Sequence, residues 1–327
     1  MESLTKNKKS NEEIFTMLQK AFGDNLALEE VQIKELTGGF FNVAYEVIMR
    51  GRAVILKIAP PSDVKVMSYE HNMMKAEAEA MQLVYEKTSV PVPKVLYYDA
   101  SHSVCNADYF FMEKIEGESF FELNIKELIS SDVQKQIYKE VGRYSKEINQ
   151  IRGERFGYYA LTEKQGDSWK EVFLQMLEEV LKDGERVDIS LGISYEEVRK
   201  LVLQASPVLE EVKEPFLVHW DLWDGNVFVQ NNSVSGIIDY ERAMWADPLM
   251  EFNFRGHNNI EEFYKGYGGN LREAAPVRSL LYDIYLYAIL IIETNYRFYP
   301  DDWQLNFATE QLEKTIIALR QEIETMV

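Results

Sequence analysis

Asp221, Asn226 and Asp239 have oxygen-bearing side chains. Their spacing would allow all three to act on one metal-bound phosphoryl group. Residues 226–230 are rich in β-branched side chains and alternate in polarity, which predicts a β-strand. After an Asn-Asn-Ser turn, residues 234–238 predict the returning strand of a hairpin. Asn226 and Asp239 flank this hairpin at its open end, so we expect them to lie close together. Asp221 lies in the loop that leads into the hairpin.

These residue types suit magnesium and proton chemistry. An amide oxygen and a carboxylate form a hard, oxygen-rich site of the kind that holds Mg²⁺ on the phosphates of a nucleotide. Asn226 and Asp239 are therefore candidate metal ligands, and the carboxylate of Asp221 could accept a proton from a substrate hydroxyl. The alternative interpretation is a purely structural hairpin with a capping Asp and a turn Asn.

A second signal is an isolated charge, Lys57, in the strand predicted for residues 53–59, whose other side chains are apolar. A buried ammonium group is costly unless an anion pairs with it. In the helix predicted for residues 68–87, Glu77 lies in the middle of the apolar face, whereas Glu79 lies on the solvated side. We therefore expect an ion pair between Lys57 and Glu77. The alternative is a surface lysine and a tolerated glutamate.

A glycine pair separates the first two predicted strands, residues 31–37 and 42–49. Because glycine has no side chain, the backbone N–H groups of Gly38 and Gly39 could approach phosphates closely. A Gly-Gly pair between two strands is also a common hairpin turn, and the residues alone leave both interpretations open. Asn42 follows the pair closely.

The pattern of the first motif, His-x-Asp with an Asn five residues after the Asp and a second Asp closing a hairpin, resembles a known family. It is similar to the catalytic loop and metal-binding Asp of the aminoglycoside phosphotransferase and choline kinase superfamily. The Val-Pro-Val-Pro step at residues 90–93 is also very similar to one in that family, and the resemblance extends from Thr37 to about Phe252. It departs from the family where Trp223 and Asp224 replace the commoner His-Pro pair.

The resemblance implies an α+β protein with a protein-kinase-like fold of two lobes. Residues 1–116 would form an N-terminal nucleotide-binding lobe, built on a five-stranded antiparallel sheet and a helix. Residues 117–327 would form a mainly helical C-terminal lobe that carries the catalytic hairpin and binds the acceptor.

The resemblance also implies an activity, the transfer of the γ-phosphoryl group of ATP or GTP to a hydroxyl of a small molecule. Lys57, oriented by Glu77, would hold phosphates. Asn226 and Asp239 would hold Mg²⁺, and Asp221 would accept or orient the proton of the acceptor hydroxyl.

Further nucleotide contacts are implied by the positions of other family motifs. Gly38, Gly39 and Asn42 would form the loop that covers the nucleotide. Backbone groups at Glu113 and Ile115, in the hinge between the lobes, would bind adenine.

Three alternatives remain beside an aminoglycoside-phosphotransferase-like enzyme. The chain could be a metabolite kinase of the choline, ethanolamine or fructosamine type. It could be a non-catalytic nucleotide-binding protein of the same fold. Such a protein would be expected to lack at least one of Lys57, Asp221, Asn226 and Asp239. A protein kinase is disfavoured because residues 239–247 are too short for an activation segment.

Composition narrows the class of protein. The 46% hydrophobic and 13% aromatic content is that of a well-packed globular protein of 327 residues. The net charge of -19 argues against nucleic acid as a partner and would suit a cationic small molecule, although acidic proteins are also common for reasons of solubility. The single Cys105 and the absence of an apolar N-terminal signal or a membrane-length apolar segment predict a cytoplasmic protein without a membrane partner.

The acceptor site is less well marked. Residues 282–303 are crowded with aromatic side chains and carboxylates that could hold an amine or a sugar, but at helical spacing such residues more often form a core. Asp224 could bind a cationic substrate or stabilise a turn. Asp247 is expected to cap a helix, and Glu251, where many family members have Asp, is expected to matter for packing more than for chemistry.

Overall fold

The computed structural model describes residues 5–23, 26–37, 41–297, 299 and 301–326. It is a mixed α+β protein, with a five-stranded antiparallel sheet near the N-terminus followed by a region that is mainly helical. Both features were predicted from the sequence and are confirmed.

The strands occur in three sheets. The first sheet has the order β1-β2-β3-β5-β4, and the two others, of three strands each, have the orders β10-β9-β6 and β7-β11-β8. Their bounds are β1 Val31–Leu36, β2 Val43–Met49, β3 Arg52–Ile58, β4 Val95–Asp99, β5 Tyr109–Glu113, β6 Glu118–Ser119, β7 Gly157–Tyr158, β8 Phe216–Val218, β9 Val227–Gln230, β10 Ser233–Ile237 and β11 Met244–Ala246.

The helices follow and separate these strands. Their bounds are α1 Asn11–Phe22, α2 Met73–Lys87, α3 Phe120–Ile125, α4 Ser131–Ile148, α5 Trp169–Arg186, α6 Tyr195–Ala205, α7 Glu261–Tyr267, α8 Leu271–Ala274, α9 Pro276–Tyr296 and α10 Trp303–Met326.

The central strand β3 explains why Lys57 is buried. It lies between β2 and β5, with Lys57 opposite Ala44 on one side and Phe110 on the other. Five consecutive residues of β3 are buried, so both of its faces are covered. The strand turns out of β2 through Arg50 and Gly51, which both have positive φ, as a tight hairpin with right-handed strand twist requires.

The predicted catalytic hairpin is β9 and β10. The two strands pair in antiparallel fashion, and the turn between them is made by Asn231 and Asn232, both with positive φ. At the open end, the backbone N–H of Ile238 donates to the carbonyl of Asn226 at 3.0 Å. The backbone therefore fixes Asp239, the next residue, beside Asn226.

The helix predicted to begin at Ser68 begins instead at Met73, so that part of the prediction is wrong. The residues before it are held in an irregular conformation by distant partners. The backbone N–H and the hydroxyl of Ser68 both donate to the carboxylate of Asp183, and Tyr69 and Glu70 are buried. These contacts lie far apart in sequence, and a helical pattern cannot reveal them.

Local residues mark the boundaries of α4 and α6. α3 ends at Ile125, and α4 begins at Ser131 with Ser130 as its N-cap. α6 ends at Ala205 and continues as a tighter 3₁₀-helix from Ser206, where a proline follows.

The long apolar helix α9 is a core helix, as predicted. Its buried Asp283 is paired with Arg255 and Arg272. No helix among the described residues has the length and apolar character needed to cross a membrane. A single buried hydrophobic cluster contains residues from both sides of the predicted boundary at residues 116 and 117, among them Phe110 and Phe120. The division into two domains stays a prediction.

Candidate active site

Lys57 lies between two carboxylates. Its ammonium nitrogen is 2.5 Å from Glu77 Oε1 and 2.8 Å from Asp239 Oδ1. Glu77 comes from the buried face of α2, and Asp239 follows the hairpin. Burial alone would lower the pKa of Lys57, but Asp239 and Glu77 outweigh it and raise the pKa, so the ammonium stays charged. The structure thus brings together three of the residues singled out in the sequence.

The two carboxylates respond differently to this arrangement. Burial raises the pKa of Glu77 to about 7, against the attraction of Lys57. Burial also opposes ionisation of Asp239, but the attraction and hydrogen bond of Lys57 outweigh it and lower the pKa of Asp239. Asp239 is therefore the more firmly ionised of the two, as a metal ligand must be.

Asn226 and Asp221 are joined directly. The side-chain Nδ2 of Asn226 donates to the backbone carbonyl of Asp221 at 2.8 Å. Asn226 is buried, whereas Asp221 and Asp239 are partly exposed. Asp239 has φ 70°, a left-handed conformation that is uncommon for a residue with a side chain and is typical of functional sites.

The pKa of the Asp221 carboxyl group is raised toward neutral pH. Burial raises its pKa to about 7, with Arg242 opposing the shift and Asp239 adding to it. A carboxylate with a pKa near the working pH is well suited to accept a proton from a bound hydroxyl.

His219 supports the loop and stays neutral. Its Nε2 lies 2.9 Å from the carbonyl oxygen of Ile238, which can only accept, so Nε2 carries the proton. Burial lowers the pKa of His219 to about 4. Its ring contacts that of Tyr240 at a centroid distance of 4.2 Å. These contacts make His219 a hydrogen-bonding residue of the loop.

Glu251 holds the backbone of the same loop, a role that the sequence analysis missed. Its carboxylate accepts from the backbone N–H groups of His219 at 3.0 Å and Trp220 at 3.1 Å, and from Asn149 Nδ2 at 2.9 Å. It is fully buried, and Trp220 has φ 67°, so the loop is pinned in a strained conformation. The only sequence signal was the family position, at which many members have Asp.

Glu241 is a second residue that the sequence analysis missed. Its carboxylate accepts from Asn42 Nδ2 at 2.7 Å, so the side chain of Asn42, a predicted nucleotide contact, already has a partner. Carboxylate oxygens of Glu77, Asp239 and Glu241 lie within 4.8 Å of one another, close enough for a cation to contact all three. Burial, with Asp239 and Glu77, raises the pKa of Glu241 well above its usual range.

The remaining predicted nucleotide contacts are less informative. Gly38 and Gly39 lie outside the described residues. The backbone N–H of Glu113 donates to the carbonyl of Lys94 at 3.0 Å, and its side chain is half exposed. Ile115 packs over Gly236 of the catalytic hairpin, so closely that a Cβ on the glycine would clash with the isoleucine side chain.

Several candidate acceptor residues are structural. Asp224 accepts from the hydroxyl of Tyr138 at 2.8 Å and from Asn124 Nδ2 at 3.2 Å, which ties the loop to α3 and α4. Asp247 caps the 3₁₀-turn that follows it, as expected for an N-cap. Of the aromatic segment, the buried members are Tyr282, Tyr285, Tyr287 and Tyr296. Trp303 is exposed, and Phe298 lies outside the described residues.

The Lys57 ion pairs make a testable contribution to stability. In Lys57→Met, Glu77 and Asp239 lose their cation, and we expect the free energy of unfolding to fall by about 3–5 kcal/mol at pH 8. Losing the cation raises the folded-state pKa of Glu77 further above its unfolded value, so the folded variant takes up a proton that the unfolded chain does not. The loss should therefore be smaller at pH 5 than at pH 8.

Urea unfolding at both pH values measures this effect. Lys114→Met, which removes an exposed pair with Glu46, is the matched control and should change stability by less than about 1 kcal/mol. An equal loss at pH 5 and pH 8 in Lys57→Met would contradict the account.

The carboxylate of Glu251 can be tested by the smallest possible change. In Glu251→Gln the amide cannot accept from all three N–H donors, so we expect the protein to lose about 1–3 kcal/mol of unfolding free energy. The exposed Glu261→Gln is the control and should stay within about 0.5 kcal/mol. Equal stability of the two variants would mean that Glu251 does not hold the loop.

Comparison with known proteins places this chain in a family. A family model described as the phosphotransferase enzyme family matches residues 32–271. A curated relative, a subtelomeric hrmA-associated cluster protein of Aspergillus fumigatus, is 28% identical over 134 residues, which is 41% of this chain and 25% of that protein. The match thus spans about a quarter of the length of that relative.

Solved structures of similar fold cover nearly the whole chain. A thermostable mutant of aminoglycoside phosphotransferase APH(4)-Ia, in complex with AMP-PNP and hygromycin B, has a TM-score of 0.61 at 17% identity and covers 93% of this chain and 98% of its own. A candidate fructosamine-3-kinase from Haemophilus somnus has a TM-score of 0.67 at 15% identity, covering 92% and 96%. The streptomycin–ATP complex of APH(2")-IIa has a TM-score of 0.59 at 18% identity, covering 96% and 97%.

At these identities the solved structures show the fold alone, and it is the fold of the aminoglycoside phosphotransferases. The family model matches well over half of the chain, from β1 to α8. The protein therefore belongs to the phosphotransferase enzyme family.

Proposed function

We propose that this protein transfers the γ-phosphoryl group of ATP to a hydroxyl group of a small molecule. The observation that carries the proposal is the convergence of four polar residues from distant parts of the chain. Lys57 contacts Asp239, the backbone of Asn226 is bonded to the residue before Asp239, and the side chain of Asn226 is bonded to Asp221.

In this proposal Lys57 binds the phosphates of the nucleotide. The ion pair with Glu77 favours the charged form and fixes the ammonium group in one position, so that it can act without rearrangement. Phosphoryl transfer needs little covalent help from a protein, so positioning and charge neutralisation would supply most of the rate.

Asn226 and Asp239 would hold Mg²⁺, and the residues present fit that ion. The side chain of Asp239 remains 28% exposed, and its ionised carboxylate is a hard oxygen ligand. The Nδ2 of Asn226 makes the bond to Asp221. Its amide oxygen accepts no hydrogen bond from a described residue. When bound, the ion would neutralise charge on the phosphates.

Asp221 would accept the proton of the acceptor hydroxyl. Its carboxylate is partly exposed, and its pKa of about 7 allows it to be ionised before the reaction and protonated after it. Its backbone is held by Asn226, and the loop around it is held by Glu251 and by Asn253, whose Nδ2 donates to the carbonyl of Leu222 at 2.9 Å.

The base of the nucleotide would lie against the strand β5 and the residues after it. We propose that backbone groups at Glu113 and Ile115 bind adenine, and that Gly38, Gly39 and Asn42 contribute to the cover of the phosphates. Solved relatives of the same fold contain ATP or AMP-PNP, which supports a nucleotide in this fold.

Two other functions make different predictions. A metabolite kinase of the choline, ethanolamine or fructosamine type would share the chemistry and differ in the acceptor. A non-catalytic nucleotide-binding protein would bind Mg²⁺-ATP without turnover. The carboxyl group of Asp221 is partly exposed and has a pKa of about 7, which favours a catalytic protein over a non-catalytic nucleotide-binding protein.

The proposal predicts Mg²⁺-dependent consumption of ATP in the presence of an acceptor. The acceptor panel would contain aminoglycosides, choline, ethanolamine, fructosamines, sugars and hydroxy acids. Asp221→Asn removes the proton acceptor while keeping the size of the side chain, and kcat should fall by about 10²–10⁴-fold with ATP affinity unchanged. Asp224→Asn, the same change three residues away, is the control and should alter kcat by only a few-fold.

The binding part of the proposal is tested separately by calorimetry. Asp239→Ala should abolish tight binding of Mg²⁺-ATP, because the metal loses its carboxylate. Full turnover in Asp221→Asn, or a failure of the wild-type protein to bind Mg²⁺-ATP, would contradict the proposed function.

A further inference from the structure

A buried ionic cluster lies next to Asp221 and shares no residue with the proposed phosphotransfer site. We call Tyr69, Glu70, Arg242, Glu293 and Arg297 the arginine cluster. All five side chains are almost fully buried.

The members of the cluster come from three parts of the chain. Tyr69 and Glu70 precede α2, Arg242 lies three residues after Asp239, and the other two lie at the end of α9. The electrostatic influence of Arg242, Glu293 and Arg297 reaches the carboxyl group of Asp221.

The carboxylate of Glu293 accepts two hydrogen bonds on each of its oxygens. Glu293 Oε2 accepts from Arg242 Nη2 at 3.1 Å and from Arg297 Nη1 at 2.8 Å. Its Oε1 accepts from the hydroxyl of Tyr299 at 3.0 Å and from Gln304 Nε2 at 2.8 Å.

The second carboxylate also has a donor on each oxygen. Glu70 accepts from Arg297 through Oε1 and from the backbone N–H of Met67 through Oε2, the latter at 2.9 Å. Each carboxylate oxygen of the cluster therefore already accepts at least one hydrogen bond.

Donors, in contrast, are left over. The buried Nε of Arg242, the buried Nε of Arg297 and the hydroxyl of Tyr69 have no hydrogen-bond partner among the described residues. A buried donor without a partner is costly, because it has lost its hydrogen bonds to water. Three such groups within one buried cluster indicate a site that is completed by a ligand with oxygen lone pairs.

Tyr69 ties this cluster to the catalytic loop. Its ring packs edge-on against that of Trp220, the residue before Asp221, at 6.4 Å, and stacks on Tyr158 at 5.8 Å. The guanidinium of Arg242 lies over both Tyr69 and Trp220, at 5.6 and 5.4 Å. The unpartnered donors are therefore held beside the proposed proton acceptor by rigid aromatic contacts.

We propose that the arginine cluster is part of the acceptor site and selects a hydroxyl compound that presents further hydrogen-bond-accepting oxygens, such as a polyol, a sugar or a hydroxy acid. Because this inference rests on the proposed phosphotransfer to a hydroxyl, it names the class of acceptor for that same reaction. An acceptor with an ammonium group at this position would face two arginines, and both carboxylates of the cluster are already paired with those arginines. The inference thus departs from the cationic acceptor that the net charge favours.

The sharpest variant is Tyr69→Phe, which removes only a hydroxyl that has no hydrogen-bond partner among the described residues. We expect the KM for the acceptor to rise about 10-fold, the loss of one hydrogen bond in the complex. The KM for ATP and the stability toward urea should not change. Ser145→Ala is the matched control, because it also removes a buried, unpartnered hydroxyl but lies in α4, and the acceptor KM should be unchanged.

The class of acceptor is tested with matched pairs that differ in one amino group. The pairs are glucose and glucosamine, and glycerol and 2-amino-1,3-propanediol, with glycerate and gluconate as the hydroxy-acid arm. We expect kcat/KM to be at least about 10-fold higher for the oxygen-only member of a pair. Turnover of glycerate or gluconate alone would assign the oxygens to a carboxylate, and turnover of the neutral compounds would assign them to hydroxyl groups.

Three outcomes would overturn the inference: turnover of the amino compounds in preference, turnover of none of the oxygen-only compounds, or an unchanged acceptor KM in Tyr69→Phe. If amino compounds are phosphorylated and Asp221→Asn abolishes that activity, the proposed function stands and only the inference fails. If the protein does not bind Mg²⁺-ATP, both fail.

Discussion

The ammonium group of Lys57, buried between Glu77 and Asp239, is the interaction on which the rest of the site depends. It joins a central strand, a helix and the end of the catalytic hairpin through one charge. Removing that charge from water is costly, and the two carboxylates compensate only in this geometry. The fold therefore has to bring these three elements together before the lysine can be buried. The backbone hydrogen bond from Ile238 to Asn226 then keeps Asp239 beside Asn226.

The loop that leads to Asp221 is held differently, through hydrogen bonds to its backbone. Glu251 receives two consecutive backbone N–H groups, and His219 donates to the carbonyl before Asp239. Because these contacts are buried, they fix the loop in a left-handed conformation at Trp220 that it would not adopt alone. Asp221 is thus rigid in its backbone and keeps a partly exposed carboxyl group, an arrangement suited to a proton acceptor.

The sequence predicted those features that depend on local patterns and missed those that depend on contacts between distant parts of the chain. Local patterns predicted the hairpin, and the apolar surroundings of Lys57 and Glu77 in their own elements predicted that the two side chains pair. Such patterns could not predict the role of Glu251 or the irregular segment at Tyr69, because those contacts join residues far apart in the chain. The same limit applies to Arg242. Local sequence patterns could not predict that its buried Nε has no hydrogen-bond partner among the described residues or that its guanidinium lies over Trp220.

The central claim is that Lys57, Asp221, Asn226 and Asp239 form one phosphotransfer site. A crystal structure of the protein with Mg²⁺ and AMP-PNP tests it most directly. The account predicts the metal on Asn226 and Asp239, the phosphates within hydrogen-bond distance of Lys57, and an open position next to Asp221. A nucleotide bound elsewhere, or a metal held without either Asn226 or Asp239, would contradict it.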